Sequence, residues 1–254
     1  MTIHLIVRGR NVEPYLAQCL ASVKKQTYKN WRIWLILDAP TDNSEALAKQ
    51  IKLDWLSERG TNGLRFHITT NTKRMGLGYN IHAGVSFAEE QSNLRIYPND
   101  VIAFLDADDK LFGKEALSVV ARTYEKYPRI LCTYGSYINA STKKKTKTSR
   151  PYPGGAKVRL SKWHGSHLFT HRYWLWSHLP SSYLQDKKGN WAEAASDRAR
   201  SYAIMELAGL DRCRHISKVL YLYRDKTPYT CNREQQKRWD AIFRKKKPLR
   251  RICL

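Results

Sequence analysis

Apolar residues recur along this 254-residue chain in two alternating rhythms. Ile3 to Val7 form a short β-prone run, and after a polar turn the segment 13–26 carries Leu16, Leu20 and Val23 at helical spacing. Asn11 stands where a helix cap belongs, and Pro14 is tolerated in a first turn. The cycle repeats with an apolar run at 31–37, a polar turn at 38–44 and a helical pattern at 45–56 capped by Ser44 or Asp42. Further strands are expected at 64–69, 101–106 and 129–135, with helices at about 78–90 and 114–127. Strands and helices alternating at this spacing predict right-handed βαβ units. The fold class is therefore α/β, Rossmann-like, with a mainly parallel sheet flanked by helices. Ligands bind such sheets at the carboxyl ends of the strands, where Asp38 and Asp106 fall.

Beyond residue 150 the pattern is irregular and rich in Trp, His and Gly. A helix capped by Ser196 is expected over 196–208, with Gly209 ending it, and a last strand over 218–224. There is no internal repeat and no Gly/Ser- or Pro-rich linker, so residues 1–254 read as one domain. It has a regular first half (1–135), an irregular second half (136–230) and a basic tail (231–254).

No run approaches the roughly 20 apolar residues that cross a bilayer, and Ile3 to Val7 is too short for a secretory leader. The expectation is a cytoplasmic protein. Five cysteines, odd in number and without a CxxC pair, argue against a disulfide framework or a zinc site. The formal charge of +23 points to an anionic partner: nucleic acid, anionic lipid or a phosphorylated small molecule. Part of the excess lies in two runs, 141–150 and 235–251. Such runs are often solvated loops or tails, but near an anionic membrane each Lys or Arg contributes about 1 kcal/mol, enough for weak peripheral attachment.

The stretch FLDADDKLF (104–112) sets Asp106, Asp108 and Asp109 directly after an apolar strand. If the chain stays extended, Asp106 and Asp108 share a face. Three crowded carboxylates repel unless a cation or hydrogen-bond donors neutralise them. Mg²⁺ and Mn²⁺ suit them, taking carboxylate oxygens together with substrate phosphates. The plainer alternative is an Asp that caps the following helix.

Several motifs in order resemble family 2 glycosyltransferases of the GT-A fold. The opening IHLIVRGRNVEPYLAQCLASVKKQTYKNWRIWLILDAPTDNS is similar to that family's first strand, helix and acidic turn. NTKRMGLGYNIHAG (71–84) resembles its next loop and helix, and FLDADD resembles its DxD motif. The likeness covers residues 3 to about 135 well. GSHLFTHR, SDRARSYAIMELAG and VLYLYR resemble the acceptor half of some members. Two departures stand out: Arg8 and Gly9 replace small hydroxyl residues or proline, and Leu37-Asp38-Ala39 replaces a paired Asp-Asp-Gly.

The resemblance implies an inverting, metal-dependent transfer of sugar from a nucleoside diphosphate to a glycan or glycoconjugate acceptor. Asp38 would accept a hydrogen bond from the base, Asp106 would approach the ribose, and Asp108 would bind Mn²⁺ or Mg²⁺ at the diphosphate. Asp109 would support the site, Arg8 stands among the donor-binding positions, and Asp197 would be the general base, with Glu193 as the alternative. Arg74 offers charge to phosphate. His167, one of three neighbouring histidines with His164 and His171, is placed on the acceptor side, and Trp191 offers a face for sugar stacking. Two rival functions remain on the residues alone. A haloacid dehalogenase-type phosphatase also begins with a strand ending in DxD, but Lys110 stands where that motif wants Thr or Val, and the Asp38 turn would go unexplained. A nucleic-acid-binding protein suits the charge and the interleaved Trp and Tyr, yet no binding motif of that class is present.

Overall fold

The computed structural model describes residues 1–58, 63–90, 95–146, 149–227 and 232–253. The first half folds as alternating strands and helices: β1 (Ile3–Gly9), α1 (Glu13–Lys24), β2 (Trp31–Asp38), α2 (Ser44–Ser57), β3 (Phe66–Asn71), α3 (Leu77–Glu90) and β4 (Val101–Asp106). A short β5 (Lys110–Leu111), α4 (Ala116–Lys126), β6 (Cys132–Asn139) and a short β7 (Thr170–Arg172) follow. The chain closes with α5 (Ser196–Ala208), β8 (Cys213–Tyr223) and α6 (Arg233–Arg244). All strands join one eight-stranded sheet in the order β3-β2-β1-β4-β7-β6-β8-β5. β1 runs parallel to β2 and β4, β2 to β3, and β6 to β8. β7 is antiparallel to both β4 and β6, so these two point the same way. The carboxyl ends of β1, β2, β3, β4, β6 and β8 therefore share one rim, the place where such sheets bind ligands.

Alternation along β1 sends Ile3, Leu5 and Val7 to one face and Ile6 to the other. α1, α2 and α4 cover the first face with residues such as Leu16, Trp55 and Tyr124. α3, α5 and α6 cover the second with residues such as Val85, Ile204 and Phe243. Each large apolar side chain buried this way contributes about 1.5–3 kcal/mol. Gly84 sets the depth of α3: a Cβ there would stand 2.5 Å from Ile6 and 2.7 Å from Ile36, so the helix lies closer to the sheet than any side chain would permit.

Several boundaries and caps differ from the sequence reading. β3 starts later because 63–65 form a 3-10 turn. β6 and β8 extend along each other from Cys132↔Cys213 to Asn139↔Tyr223, so the pairing, not the local pattern, sets their limits. Asn11 does not cap α1, whose cap position is Val12. The Asn11 side chain instead accepts from the Thr41 amide at 2.8 Å. Asp42 serves both helix starts, accepting from the amides of Glu13 (3.1 Å) and Ser44 (3.0 Å), while Glu13 accepts from Asn43 (3.0 Å). Ser196 does not cap α5 either. The cap position is Ala195, at φ 51°, and the Ser196 hydroxyl accepts from Arg8 Nη1 at 2.8 Å. Gly209 ends α5 as expected, with φ 80° and its amide bonded to the carbonyls of Met205 and Glu206.

The basic tail holds a packed helix. Trp239 and Phe243 of α6 are buried in the second core, and the segment beyond continues over α5, the Ile252 amide donating to the Leu207 carbonyl at 3.0 Å. Among the described residues no helix is long and apolar enough to cross a membrane. Residues 147 and 148 of the other basic run lie outside the described residues.

Candidate active site

The acidic stretch does not stay extended. β4 ends at Asp106 and the chain turns at once, the Asp109 amide donating to the Asp106 carbonyl at 2.9 Å. The turn gives the three carboxylates different surroundings. Asp106 accepts from Arg8 Nε at 2.8 Å, and Arg8 also donates to the Leu77 carbonyl (3.0 Å) and to Ser196, tying together β1, α3 and α5. Burial pushes the Asp106 carboxyl up, but the charge and hydrogen bond of Arg8, together with His167 and Arg200 nearby, outweigh this and hold it low. Asp109, 2% exposed, accepts from the Tyr221 hydroxyl (2.7 Å) and the Arg224 amide (2.6 Å), which fastens the turn to the end of β8. Burial and the neighbouring Asp108 and Asp106 push its carboxyl well up. Asp108 is half-buried and, among the described residues, no cation lies within ion-pair distance of it. Burial and Asp106 raise its pKa to about 6.

At the end of β2, Asp38 holds the 71–76 loop. Its carboxylate accepts from Asn71 (2.9 Å) and from the amides of Met75 (2.8 Å) and Gly76 (3.0 Å). Burial pushes this carboxyl up, and the hydrogen bonds outweigh it and bring it below the usual range. Arg74 lies exposed on the same loop. With Arg10, Thr41 and Thr70 it lines a side pocket of about 670 Å³.

Across the rim, α5 presents Asp197 and the loop before β7 presents His167, whose ring stacks on Tyr221 at 4.5 Å. Burial holds His167 below its ordinary pKa, against the pull of Asp106 and Asp197. One cleft of about 930 Å³ is lined by Arg8, Asp38, Arg74, Asp106, Asp108 and Asp109 on one side. His167 and Asp197 line the other, with Lys162, Trp163, Asn232 and the α6 residue Gln235. Glu193 is exposed at the edge and accepts from Gln235 at 2.7 Å. Trp191 is a correction: it does not line the cleft but packs against Tyr79 and His82 of α3, both at 5.5 Å. His164 and His171 are buried elsewhere in the fold.

Sequence reasoning missed Tyr221, Arg224 and Arg200. The motif VLYLYR did carry the signal for the first two, as alternating aromatics leading to a basic residue at a strand end. Arg200 is 2% exposed, its guanidinium 3.8 Å from the Phe104 ring and 5.0 Å from Phe169. Nothing local signals that burial. Among the described residues no three His, Cys, Asp or Glu side chains form a metal cluster by themselves. What the arrangement offers is one unneutralised carboxylate beside a paired one, in a cleft that a further carboxylate, Asp197, also lines.

Among curated proteins none matches the sequence significantly. Solved structures share the fold. S. aureus TarS is 16% identical with a TM-score of 0.63, covering 88% of this chain and 37% of its own. Its fragment 1–349 in complex with UDP-GlcNAc is 15% identical with a TM-score of 0.61, covering 89% and 59%. The mannosyltransferase PcManGT from Pyrobaculum calidifontis, in complex with GDP-Man and Mn²⁺, is 13% identical with a TM-score of 0.61, covering 89% and 58%. The chain thus spans less than two thirds of these relatives. The likeness places it among GT-A folds and leaves the phosphatase alternative without support. Residues 4–188, most of the chain and all of the acidic turn, match the model of Glycosyl transferase family 2, and the protein belongs to that family.

Proposed function

We propose that this glycosyltransferase performs a metal-dependent, inverting transfer from a nucleoside-diphosphate sugar to an acceptor hydroxyl of a glycan or glycoconjugate. The observation that carries the reading is the meeting of Asp108 and Asp197 in one cleft, from opposite halves of the chain. Mg²⁺ or Mn²⁺ fits the donor side. Arg8 already offsets Asp106, and Tyr221 and Arg224 occupy Asp109, which leaves Asp108 to bind a cation together with diphosphate oxygens. Such an ion, when bound, stabilises the charge developing on the leaving diphosphate. Asp38, at the strand end beside the loop it holds, is set for the base, and Asp106 keeps its second oxygen for the ribose.

Asp197 is the general base. It takes the proton of the acceptor hydroxyl as the new bond forms from that oxygen to the anomeric carbon, while the bond from that carbon to the diphosphate oxygen breaks. His167 lines the same cleft as Asp197, with burial holding its pKa below the ordinary value. Exposed Lys245, Lys247, Arg250 and Arg251, at the far end of α5, support weak peripheral contact with an anionic membrane.

Asp108→Asn is expected to fold normally and lose Mn²⁺-dependent affinity for a nucleoside diphosphate in calorimetry. Unchanged affinity would remove the central claim. UDP-GlcNAc and GDP-Man, seen in the similar structures, are the first donors to screen by thermal shift, since a true ligand stabilises the fold by mass action. Asp197→Ala should keep donor binding and lose about 10² to 10⁴ in rate. A variant retaining more than about a tenth of the wild-type rate is not missing its base.

A further inference from the structure

The net charge is divided unevenly between the two halves. Residues 1–135 carry 18 Lys and Arg against 14 Asp and Glu, whereas residues 136–254 carry 27 against 8. The half that faces an anionic donor is nearly balanced, so the excess is not there to hold the donor. β6 ends at the cleft rim, and a hairpin continues from it, with the Asn139 amide donating to the Lys144 carbonyl (3.0 Å) and the Thr146 amide to that of cleft-lining Tyr137 (2.9 Å). Lys143 and Lys144 are exposed at its tip, which is fastened to the segment after β8 by Ser141 donating to Asp225 at 2.7 Å. Lys226 stands exposed in that same segment, and Lys162 lines the cleft itself. Among the described residues none of these four lysines is in an ion pair with a carboxylate. Asn232 and, from α6, Gln235 and Gln236 also line the cleft.

We propose that the acceptor is an anionic glycan chain, bearing repeated phosphate or carboxylate groups, whose charges lie along this lysine rim while one hydroxyl reaches Asp197. The inference rests on the glycosyltransferase reading. Tyr137, Trp163 and Tyr223 line the cleft between the lysines with flat faces suited to sugar rings. A bilayer is offered less: of the exposed large hydrophobic side chains among the described residues, five lie in the first half and only Leu160 in this one. A rim of this kind binds through charge and is screened by salt, with a Debye length of about 10 Å at 0.1 M.

The test measures binding of fluorescent oligogalacturonate, polyphosphate, neutral maltodextrin of matched length and phosphatidylglycerol vesicles to the whole protein, at low and high salt. Donor affinity is followed by calorimetry in every sample. Expected are salt-sensitive binding of at least one anionic chain, little binding of maltodextrin, and at least a tenfold loss in Lys143→Glu/Lys144→Glu/Lys226→Glu with donor affinity intact. Lys245→Glu/Lys247→Glu/Arg250→Glu, an equal charge change at the far end of α5, should change binding less than threefold. Equal losses in the two variants would reduce the effect to net charge and overturn the proposal, as would equal binding of maltodextrin or binding of vesicles alone. Absence of donor binding in the unaltered protein would instead strike the underlying reading. Circular dichroism confirms that the exposed substitutions leave the fold in place.

Discussion

Arg200 lies between Phe104 and Phe169 with its Nε lacking any hydrogen-bond partner, and burial, with Arg8 nearby, lowers its pKa only to about 10. It is therefore a cation at neutral pH in a place where an unpaired charge is costly. Asp197, one turn earlier on the same face of α5, and Asp106 are the negative charges that oppose that cost. Met has a similar length and packs well between rings. Arg200→Met should thus shift the melting temperature little, because it removes a buried cation whose Nε has no hydrogen-bond partner, while Asp106 keeps its pairing with Arg8 and Asp197 is only half-buried. Turnover should fall roughly tenfold as the carboxylates lose their buried counter-charge. Calorimetric melting beside initial rates decides it: a fall of more than about 8 °C would make Arg200 a packing residue instead. At this scale the sequence was legible where the signal is local. Asp106, Asp108 and Asp109 stand out because they follow an apolar strand. The pairing of Arg8 with Asp106 was not legible, since it depends on the parallel register that sets Arg8 opposite Asp106 across 98 residues.

Among the elements, α6 shows what local pattern cannot convey. Its few apolar residues are outnumbered by charged and amide side chains, so residues 233–244 read as part of a solvated tail. Yet Asn232 caps it by accepting from the Glu234 amide at 2.9 Å, and Trp239 stacks on Phe243 at 5.6 Å within the second core. Asp240 binds Arg198 (2.7 Å) and Arg244 (2.9 Å), joining the helix to the start of α5 beside Asp197. β7 was hidden for a different reason: three residues are too few to show a period, and it exists because β4 and β6 both pair with it. Since α6 is a wall of the cleft, deleting residues 237–254 should abolish turnover even on a soluble acceptor, beyond any loss of membrane contact. Trp239→Ala isolates the packing: truncating a buried Trp costs about 3–5 kcal/mol, or roughly 10 °C in a domain of this size. If the truncated protein turned over a soluble acceptor at the full rate, α6 would be an attachment and no part of the site.

For the whole molecule, the alternation of strands and helices sufficed to read the class of fold, because each βα unit repeats a local period. The charge state of its interior was not readable that way. Six of the eight histidines, His4, His67, His82, His167, His171 and His215, are held below their ordinary pKa, each chiefly by burial. His67 falls to about 4 and His171 to about 3, and both have an Nε2 that is buried without a partner. The folded state refuses a proton that the unfolded chain accepts below about pH 6.5. The stability such a group contributes is therefore intact above pH 6.5 and is lost as pH falls from there toward the folded value. The raised carboxyls of Asp108 and Asp109 act in the opposite direction, binding protons in the folded state first. A single substitution separates the two trends, because the carboxyls are common to both proteins and cancel in the comparison. His171→Phe keeps a ring against Trp176, where the present rings stack at 5.9 Å and 9°, and loses the bond from Nδ1 to the Arg172 carbonyl. It should be less stable than wild type at pH 8 by about 1 kcal/mol. Between pH 6.5 and 4 the wild type should lose roughly 3 kcal/mol more than the variant, at about 1.4 kcal/mol per pH unit, so that the variant becomes the more stable protein near pH 4. Urea unfolding at pH 8, 6.5, 5 and 4 measures the gap, and a gap that stays constant across that range would mean that His171 takes up its proton in the folded state as readily as in the unfolded one.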